Sequence, residues 1–313
     1  MRVPLPAAMM TTSTAVMSFP FRIARHGPRV LRIIGLLSLS MALAACSTVK
    51  LGYAALPEVA YWWLDGYLGL EGTQSQRLRE DLQRLHAWHR GAELPRVIAV
   101  LQRMERVAPQ DITPAQACAF EPEIRERYVA LRDRAEPAIV SNALTLTPDN
   151  LKHLERKYAR NNREFEKDWI RPTPAEQMDR RIKLVAERMD TLYGSVTDAQ
   201  RAAIRKQLEA TPFPAAEVLA ERKRRQQETL ALLQRLTTQA VPLGEARTEL
   251  RGLMERFTTS PDPVRRAYQQ AVVQDACRLI AAVHNAATPP QREHAAQRLR
   301  GWQRDLQELS SAS

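Results

Sequence analysis

Residues 173–192 read TPAEQMDRRIKLVAERMDTL and combine the two signals that recur along this chain of 313 residues. Thr173 and Glu176 have the spacing of a capping box, in which each side chain accepts a hydrogen bond from the backbone amide of the other residue. Pro174 stands at a first helical position, where its missing N–H removes no hydrogen bond. The apolar residues that follow are spaced by four and three and predict one face of an amphipathic helix: Met178, Ile182, Val185, Met189 and Leu192.

The same box, with Gln or Asn in place of Glu, begins at five further threonines: Thr73, Thr113, Thr147, Thr197 and Thr288. Apolar residues at helical spacing follow these boxes, and no segment shows the alternation of a half-buried strand. Because the intervals between boxes vary, they indicate no strict solenoid. The sequence therefore predicts an all-α fold, an extended multi-helix bundle of long amphipathic helices, with breaks at 69–72, 91–95, 194, 211–214, 241–244 and 260–263.

The first 45 residues have the composition of an export signal rather than of a folded domain. They carry five Arg and no acidic residue, and a largely apolar run of 13 residues, Ile33–Ala45, ends in Leu-Ala-Ala-Cys-Ser. This ending resembles the lipobox of bacterial lipoproteins. The resemblance implies cleavage before Cys46, a covalent lipid on Cys46 and, because residue 47 is Ser, an outer-membrane location facing the periplasm. The alternatives are an ordinary secreted protein and an uncleaved anchor.

Removal of residues 1–45 as a signal peptide leaves two segments. Residues 46–72 form a lipidated Cys with an aromatic tether, and residues 73–313 form the helical domain, with a subdivision indicated near 211–214. The remaining 41 basic and 35 acidic residues give a net charge of +6. That charge suits binding to anionic lipid, a cell-wall polymer or an acidic protein, but a solvated helical surface is the favoured explanation. A nucleic-acid partner is not expected in this compartment.

Cys118 and Cys277 are the other two cysteines, and an even pair suits an oxidising compartment. A disulfide between them would close a loop of about 160 residues and stabilise the fold by about 5 kcal/mol in the chain-entropy treatment. Two buried free thiols are the alternative, and both stay open at the level of sequence because the distance between the cysteines is not known.

An aromatic segment follows the predicted lipid anchor and includes Trp62, Trp63 and Asp65. Indole rings this close to an anchor could lie at the bilayer interface. Burial as the lid of the bundle is the favoured interpretation, because it is the commoner fate of aromatic side chains. Asp65 could accept a hydrogen bond from an indole or phenol, or cap a turn.

His86 and His89 stand three residues apart on one predicted helix face, a spacing that can hold a metal ion. A zinc site needs a third or fourth ligand, and none stands at a recognised spacing. A structural or solvent-facing role is therefore favoured, and no cofactor other than the covalent lipid is expected.

Two polar clusters interrupt the helical pattern. Asn161 and Asn162 lie on or beside an apolar stripe, where an Asn often fixes packing register, although a polar recognition face is the alternative. Arg222 and Arg225 belong to the densest basic run, RKRRQQ, which predicts a solvated helix face or, less commonly, a docking surface for an anionic partner. We found no nucleophile–base pair, Gly-rich turn or HExxH motif, so no catalytic residue is predicted and a non-enzymatic protein is expected.

The chain resembles an uncharacterised family of all-helical outer-membrane lipoproteins of proteobacteria. The resemblance covers nearly all of the mature chain, includes Cys46-Ser47 and Trp62-Trp63-Leu64-Asp65, and continues through residues 88–95, 161–165, 194–200 and 222–226. It implies a helical lipoprotein and supplies no activity. The Thr-Pro-x-Gln boxes are also similar to the LTxxQ boxes of small periplasmic chaperones, although capping physics alone generates them.

Three functions follow as hypotheses. The first is a non-enzymatic binding or scaffold protein of the cell envelope, whose partner is an envelope protein or a cell-wall polymer. The second is a periplasmic chaperone, which predicts an exposed concave apolar patch. The third is a cell-envelope enzyme with dispersed active-site residues, which predicts a pocket with converging polar groups. The first is preferred.

Overall fold

The structure, a computed structural model, describes residues 48–311, and every regular element in that range is helical. The predicted signal peptide 1–45 and the predicted lipidation site Cys46 lie outside the described residues. The helices are α1 Thr48–Leu68, α2 Gly72–Trp88, α3 Leu94–Val107, α4 Pro114–Cys118, α5 Glu121–Ala143, α6 Pro148–Phe165, α7 Pro174–Tyr193, α8 Asp198–Glu209, α9 Ala215–Thr238, α10 Leu243–Thr258, α11 Pro263–Asn285 and α12 Pro289–Ser311.

Capping boxes start most of the helices where the sequence predicts them. The side chains of Thr113, Thr147, Thr173 and Thr197 each accept a hydrogen bond from the amide three residues on, and the backbone amide of each threonine donates to the side chain of that residue. The prediction at Thr73 is wrong. There the chain begins its helix two residues earlier, with Glu71 and Gln74 as the box.

The predicted break at 91–95 is also wrong. A π-helical turn, His89–Glu93, joins α2 to α3, and the amide of Leu94 bonds to the carbonyl of His89 five residues back. This wider turn shifts the hydrogen-bond register, so Pro95 falls in the first turn of α3, where a proline is tolerated. A second π-turn, Glu166–Ile170, extends α6.

Apolar side chains pack into two main clusters. One lies between α7, α8, α11 and α12, where Ile204 and Val283 have no exposed surface. The other lies between α5, α6, α9 and α10, where Ala246 has none and Leu154 almost none. A smaller cluster joins α3 to α12. The amphipathic stripes of the sequence therefore meet in one continuous set of helix–helix contacts.

The described chain contains two repeats, residues 48–170 and residues 174–311, which we call the first and second repeats. Both repeats end their first helix in the same way. Asp65 and Asp190 each lie four residues before a glycine with positive φ, Gly69 and Gly194. In both repeats the glycine amide donates to the aspartate carbonyl, and the aspartate side chain accepts from an amide just beyond the glycine, at 2.8 and 2.7 Å. The positions correspond with an offset of 125 residues.

The last helix of each repeat also begins alike. Asn150 and Gln291 are the third residues of their capping boxes, and each donates to a backbone carbonyl of the turn just described: Asn150 to the glycine, at 2.8 Å, and Gln291 to Ser195, at 2.5 Å. Three residues on, His153 and His294 lie against the glycine of the turn. The boundary between the two repeats falls at 171–173, and the predicted break at 211–214 lies between α8 and α9.

The middle helices of each repeat pack on the last two helices of the other repeat. Helix α3 packs on α12 and α9 on α6, while α4 packs on α11 and α10 on α5. A disulfide between Cys118 and Cys277, with Cα atoms 5.3 Å apart, joins α4 to α11. At the equivalent contact, Glu136 of α5, which is 1% exposed, is paired with Arg247 and Arg251 of α10. Each repeat therefore completes the packing of the other.

Helix α1, which the sequence assigned to a tether, is part of this bundle and contacts α2, α6 and α12. Lys50 at its start pairs with Glu308 of α12. Among the helices between residues 48 and 311, none combines the length and apolar character that a membrane crossing requires.

Candidate functional site

The outward side of α1 is apolar. Five of the thirteen large apolar side chains that are exposed between residues 48 and 311 lie on this helix. With 3.6 residues per turn, they share one side of the helix, and Tyr53 and Tyr61 are buried on the other. We define the apolar face of α1 as Leu51, Ala55, Leu56, Val59, Trp62 and Trp63.

The tryptophans do not form a buried lid, as the sequence interpretation favoured. Trp62 is 63% exposed and Trp63 is 38% exposed, whereas the adjacent residue Tyr61 is 5% exposed. The reason is that α1 packs on the bundle through its opposite side, so the two indoles lie on the outward side, where Arg79 of α2 lies 5.5 Å from the ring centre of Trp62. One charged side chain, Glu58, borders the apolar face, and Arg79 of α2 pairs with it while lying over the ring of Tyr61.

A proline and a histidine fix the inward side of α1. Pro57 has no N–H, so the carbonyl of Tyr53, four residues earlier, lacks its usual helical donor. Nε2 of His86 donates to this carbonyl at 3.0 Å. Nδ1 of His89 lies 3.0 Å from the Tyr53 hydroxyl. The two histidines therefore hold α1 against α2 and the π-turn.

These contacts also bear on the metal hypothesis for His86 and His89. Burial lowers the pKa of both imidazoles, which favours their neutral forms. Nε2 of His86 is occupied by the Tyr53 carbonyl. Within residues 48–311, no group of three or more His, Cys, Asp or Glu side chains is placed to hold a metal ion.

The end of α1 is held by Asp65 and Asn150. Asp65 caps the turn after α1, which is one of the two roles that the sequence left open for it. Its Oδ1 accepts a hydrogen bond from the amide of Leu70 at 2.8 Å. Asn150, which is 5% exposed, donates to the carbonyls of Leu68 and Gly69 at 2.9 and 2.8 Å. Its Oδ1 accepts from the side chain of Gln74 at 3.0 Å, so one amide joins α1, α2 and α6.

Asn161 also contacts α1. Its Nδ2 donates to the hydroxyl of Tyr67 at 2.8 Å, and Tyr158 lies edge-on to the same ring. Burial raises the pKa of Tyr158 to about 12. Asn162 faces α9 instead, where its amide exchanges hydrogen bonds with Gln226 at 2.8 and 3.3 Å. Both asparagines therefore serve helix packing, which agrees with the structural interpretation.

The basic run of α9 is not a free cationic surface. Arg225 is 6% exposed and donates to Glu221 at 2.6 Å and to the carbonyl of Phe257 at 3.0 Å. Hydrogen bonds from Arg224 and Arg225 lower the pKa of Glu221 to about 2. Arg222 lies 5.8 Å from the ring centre of Phe165. Both interpretations of the run as a surface feature therefore fail at Arg225, because the apolar stripe of α9 passes through this position.

A shallow cleft of about 410 Å³ lies between α5 and α10 and is lined by Arg125, Arg132 and Arg256. Arg125 is paired with Glu121 of its own helix, and Arg132 is paired with Asp133. Two of the three guanidinium groups are therefore paired with carboxylates, and the lining residues of the cleft include no histidine or cysteine.

The sequence interpretation did not predict a buried role for Asn150, Gln200, Glu93 or Glu136, which are 5% exposed or less. The first two are the third residues of capping boxes, and their amides bond to a second helix as well as to the cap. A box whose third residue is Asn or Gln, with donors left over after capping, is the signal that could have identified them. No local pattern marks Glu93 or Glu136.

Three of the predicted site residues, Asp65, Trp62 and Trp63, thus lie on α1, and Asn161 of α6 contacts the same helix. The structure keeps His86 and His89 at the opposite side of α1 and places Arg222 and Arg225 on α9. The candidate site is therefore the apolar face of α1, with the inward contacts serving to fix the helix on the bundle.

Comparison with known proteins gives a family but no activity. Residues 66–242, more than half of the chain, match a family described as Family of unknown function (DUF6279). No curated protein and no solved structure matches the chain.

Proposed function

The chain belongs to the DUF6279 family of unknown function, and from the lipobox-like sequence that ends at Cys46 we propose that it is a lipid-anchored protein of the outer membrane, facing the periplasm. Cys46 carries the lipid, and the helical bundle acts as a non-enzymatic binding or scaffold protein. Its partner is an envelope protein or a cell-wall polymer held near the membrane.

The observation that carries the proposal is the short sequence separation between Cys46 and the first helix of the bundle. Helix α1 begins at Thr48, two residues after Cys46, and packs directly on α2, α6 and α12. Two residues of extended chain span at most about 7 Å. A lipid on Cys46 would therefore hold the bundle at the membrane surface, with no long linker between the anchor and the body that binds.

The titratable groups with strongly shifted pKa values support binding rather than chemistry. Burial raises the pKa of Tyr158 and Tyr193 to about 12, and arginine side chains lower the pKa of Glu221 to about 2. Tyr193 bonds to His284 at 2.8 Å, and Glu221 bonds to Arg225 and Arg265. Burial accounts for the shifts of the two tyrosines, and Arg224 and Arg225 of the same helix account for that of Glu221, so none of the three shifts needs a substrate to explain it.

The exposed apolar surface of the protein gives less support to the chaperone hypothesis. A chaperone needs apolar groups that face one another around an unfolded chain. The largest set of exposed apolar side chains on one helix of the described residues lies along the outer side of α1, which is a single rod. This arrangement suits a flat apolar environment better than it suits an enclosed client.

The first experiment tests the anchor. Cells expressing the chain are grown with an alkyne analogue of palmitate, and the protein is followed by click labelling and by membrane fractionation. We expect label in the wild type and none in Cys46→Ser. The matched control, Cys277→Ser, should keep the label. An unlabelled wild type, or a wild type found in the cytosol, would overturn the proposal.

The second experiment tests the scaffold role. A photo-crosslinking amino acid is placed at exposed positions of α5, α9 and α11, and crosslinked proteins are identified by mass spectrometry in intact cells. We expect one or a few partners that recur at neighbouring positions. A broad sample of unfolded clients would argue for the chaperone and against the scaffold.

A further inference from the structure

The second repeat provides an internal control for the apolar face of α1. Asp65 and Asp190 set the correspondence between α1 and α7, since each closes its helix with the same two hydrogen bonds. The buried side is apolar in both helices, as at Tyr61 and its equivalent Ala186. The exposed sides differ at four positions of the apolar face: Leu51, Ala55, Trp62 and Trp63 of α1 correspond to the exposed Glu176, Arg180, Glu187 and Arg188 of α7. Leu56 corresponds to the half-buried Arg181, and Val59 corresponds to another apolar residue, the half-buried Leu184.

This difference shows that the fold does not require apolar side chains on the outward side of the helix. Charged residues occupy the same positions of α7 and are solvated there. Exposing two tryptophans and two leucines to water brings no packing benefit, so the apolar character of α1 needs an environment that covers it.

We propose that the apolar face of α1 lies in the interfacial layer of a phospholipid bilayer, with the helix parallel to the membrane surface. The proposal rests on the proposed lipid anchor. The chain outside the described residues ends at residue 47, immediately before α1, and contains the apolar run Ile33–Ala45 and Cys46. With a lipid on Cys46, or with the apolar run retained as an anchor, the chain just before α1 would be attached to a membrane.

The dimensions of the face suit this occupant. Leu51 and Trp63 are 12 residues apart, which corresponds to about 18 Å along a helix. An interfacial helix buries its apolar side about 5–10 Å into the boundary between headgroups and acyl chains. Tryptophan side chains favour this layer, because the indole has an apolar body and a polar N–H.

The charged residues near the apolar face of α1 are paired, which is compatible with contact with a membrane. Glu58, which borders the face, is neutralised by Arg79, and Lys50 at the start of α1 is paired with Glu308. The face therefore carries no unpaired anionic group that would have to approach the lipid. Contact with the bilayer through α1 would orient the bundle as well as tether it, whereas a lipid on Cys46 alone would leave it free to swing.

The test uses the lipidated full-length protein reconstituted in phosphatidylcholine vesicles whose acyl chains carry bromine, a short-range quencher of tryptophan fluorescence. We expect quenching of the wild type relative to vesicles without bromine. The chain has five tryptophans. Replacing two of them in Trp62→Phe/Trp63→Phe should remove most of the quenching and so assign it to α1.

A second variant pair separates lipid contact from general effects of charge. Leu51→Glu/Val59→Glu should abolish the quenching of Trp62 and Trp63 while acylation is retained. The matched control, Leu243→Glu/Val264→Glu, changes two exposed residues of the same types on α10 and α11 and should leave the quenching intact. Position 51 corresponds to Glu176 of α7, so the fold is expected to accept glutamate there.

Acylated protein that shows no bromine quenching would overturn the inference and leave the proposed anchor standing. Tryptophans shielded from aqueous iodide but not quenched by bromolipid would also overturn it, since a second copy, a partner protein or the apolar run 33–45 would then cover the face. Absence of acylation at Cys46 would remove both proposals together.

Discussion

His86 donates a hydrogen bond to the backbone carbonyl of Tyr53, the one carbonyl of α1 that Pro57 deprives of its helical donor. The proline and the histidine thus act as a pair, although they lie on different helices. The proline creates an acceptor that faces α2, and the imidazole of α2 satisfies it. This explains why a histidine pair that could suggest a metal site serves instead to position the candidate membrane-facing helix.

The pair gives a first prediction, in the form of a double-mutant cycle. His86→Phe leaves the Tyr53 carbonyl without this donor and should cost about 1–3 kcal/mol in the free energy of unfolding. In a Pro57→Ala background, the amide of residue 57 can donate to the carbonyl, so the same change should cost less by on the order of 1 kcal/mol. Urea unfolding measures both. His89→Phe, which does not involve this carbonyl, should cost the same in either background.

The second prediction concerns Asn150, whose amide joins three helices. Asn150→Ala removes its hydrogen bonds to Leu68, Gly69 and Gln74. Because the site is buried, we expect a loss of about 2–4 kcal/mol in the free energy of unfolding. The control is Gln116→Ala, at the third position of an exposed capping box, with an expected loss of about 1 kcal/mol or less. Equal losses in urea unfolding would contradict the joining role.

The third prediction is a pH dependence centred on His284. This buried imidazole donates from Nε2 to the carbonyl of Gln110 at 2.8 Å, and its Nδ1 accepts from the hydroxyl of Tyr193 at 2.8 Å. The bond from Tyr193 requires the neutral ring, because a protonated Nδ1 cannot accept, and burial lowers the pKa of His284 below the ordinary value of 6.5. The unfolded chain therefore binds more protons just below that pH. The stabilisation that the neutral His284 provides is therefore fully present above pH 6.5 and is lost progressively as the pH falls below that value.

The slope of the unfolding free energy against pH measures this effect. We expect His284 to contribute up to about 1.4 kcal/mol per pH unit below 6.5. His284→Gln retains a donor and an acceptor without titrating, so its curve should be flatter. The exposed His294 supplies the control, as His294→Gln should leave the slope unchanged. A wild-type curve that is flat in this window would contradict the structural account of His284.

The fourth prediction separates two arginines of one basic run. Arg225→Lys should destabilise the fold by about 2–4 kcal/mol, because lysine cannot reproduce the bonds to Glu221 and Phe257 from a buried position. Arg222→Lys, three residues away, should cost about 1 kcal/mol or less, since it alters only a contact with an aromatic ring. Thermal unfolding compares them, and equal shifts in Tm would argue that the run is a solvated surface.

The fifth prediction concerns Cys118 and Cys277. Denatured protein treated with an alkylating reagent should take up none before reduction and should be modified at both residues afterwards. The bridge spans 159 residues, so Cys118→Ser/Cys277→Ser should lower the free energy of unfolding by up to about 5 kcal/mol. Modification of both cysteines without reductant would show that the bond does not form.

Much of the local structure could be predicted from sequence, because capping and helical spacing are properties of neighbouring residues. Thr147 and Thr197 start helices where their boxes predict them. The errors come from effects that act through space. At Thr73, the real cap is Glu71, whose box partner Gln74 also bonds to Asn150 of α6. At 91–95, the π-turn accommodates a Gly and a Pro that usually end helices.

The candidate site was harder to predict because amphipathic spacing alone does not say which side of a helix is covered. Tyr61, Trp62 and Trp63 are consecutive, yet one is buried and two are exposed. Arg225 was assigned to a surface by its charge, whereas its position on the stripe of α9 placed it inside. The repeat escaped detection because the halves share hydrogen-bonding positions, such as Asp65 and Asp190, and little continuous sequence.

The exchange of α3–α4 and α9–α10 between the repeats gives this single chain the architecture of a domain-swapped dimer whose two protomers have been fused. The order of synthesis then matters. When the ribosome has completed residues 48–170, α3 and α4 still lack their partners α12 and α11, which are made later. The first half must therefore remain open until α11 and α12 are synthesised, and a chain truncated before residue 263 would leave both halves unfinished.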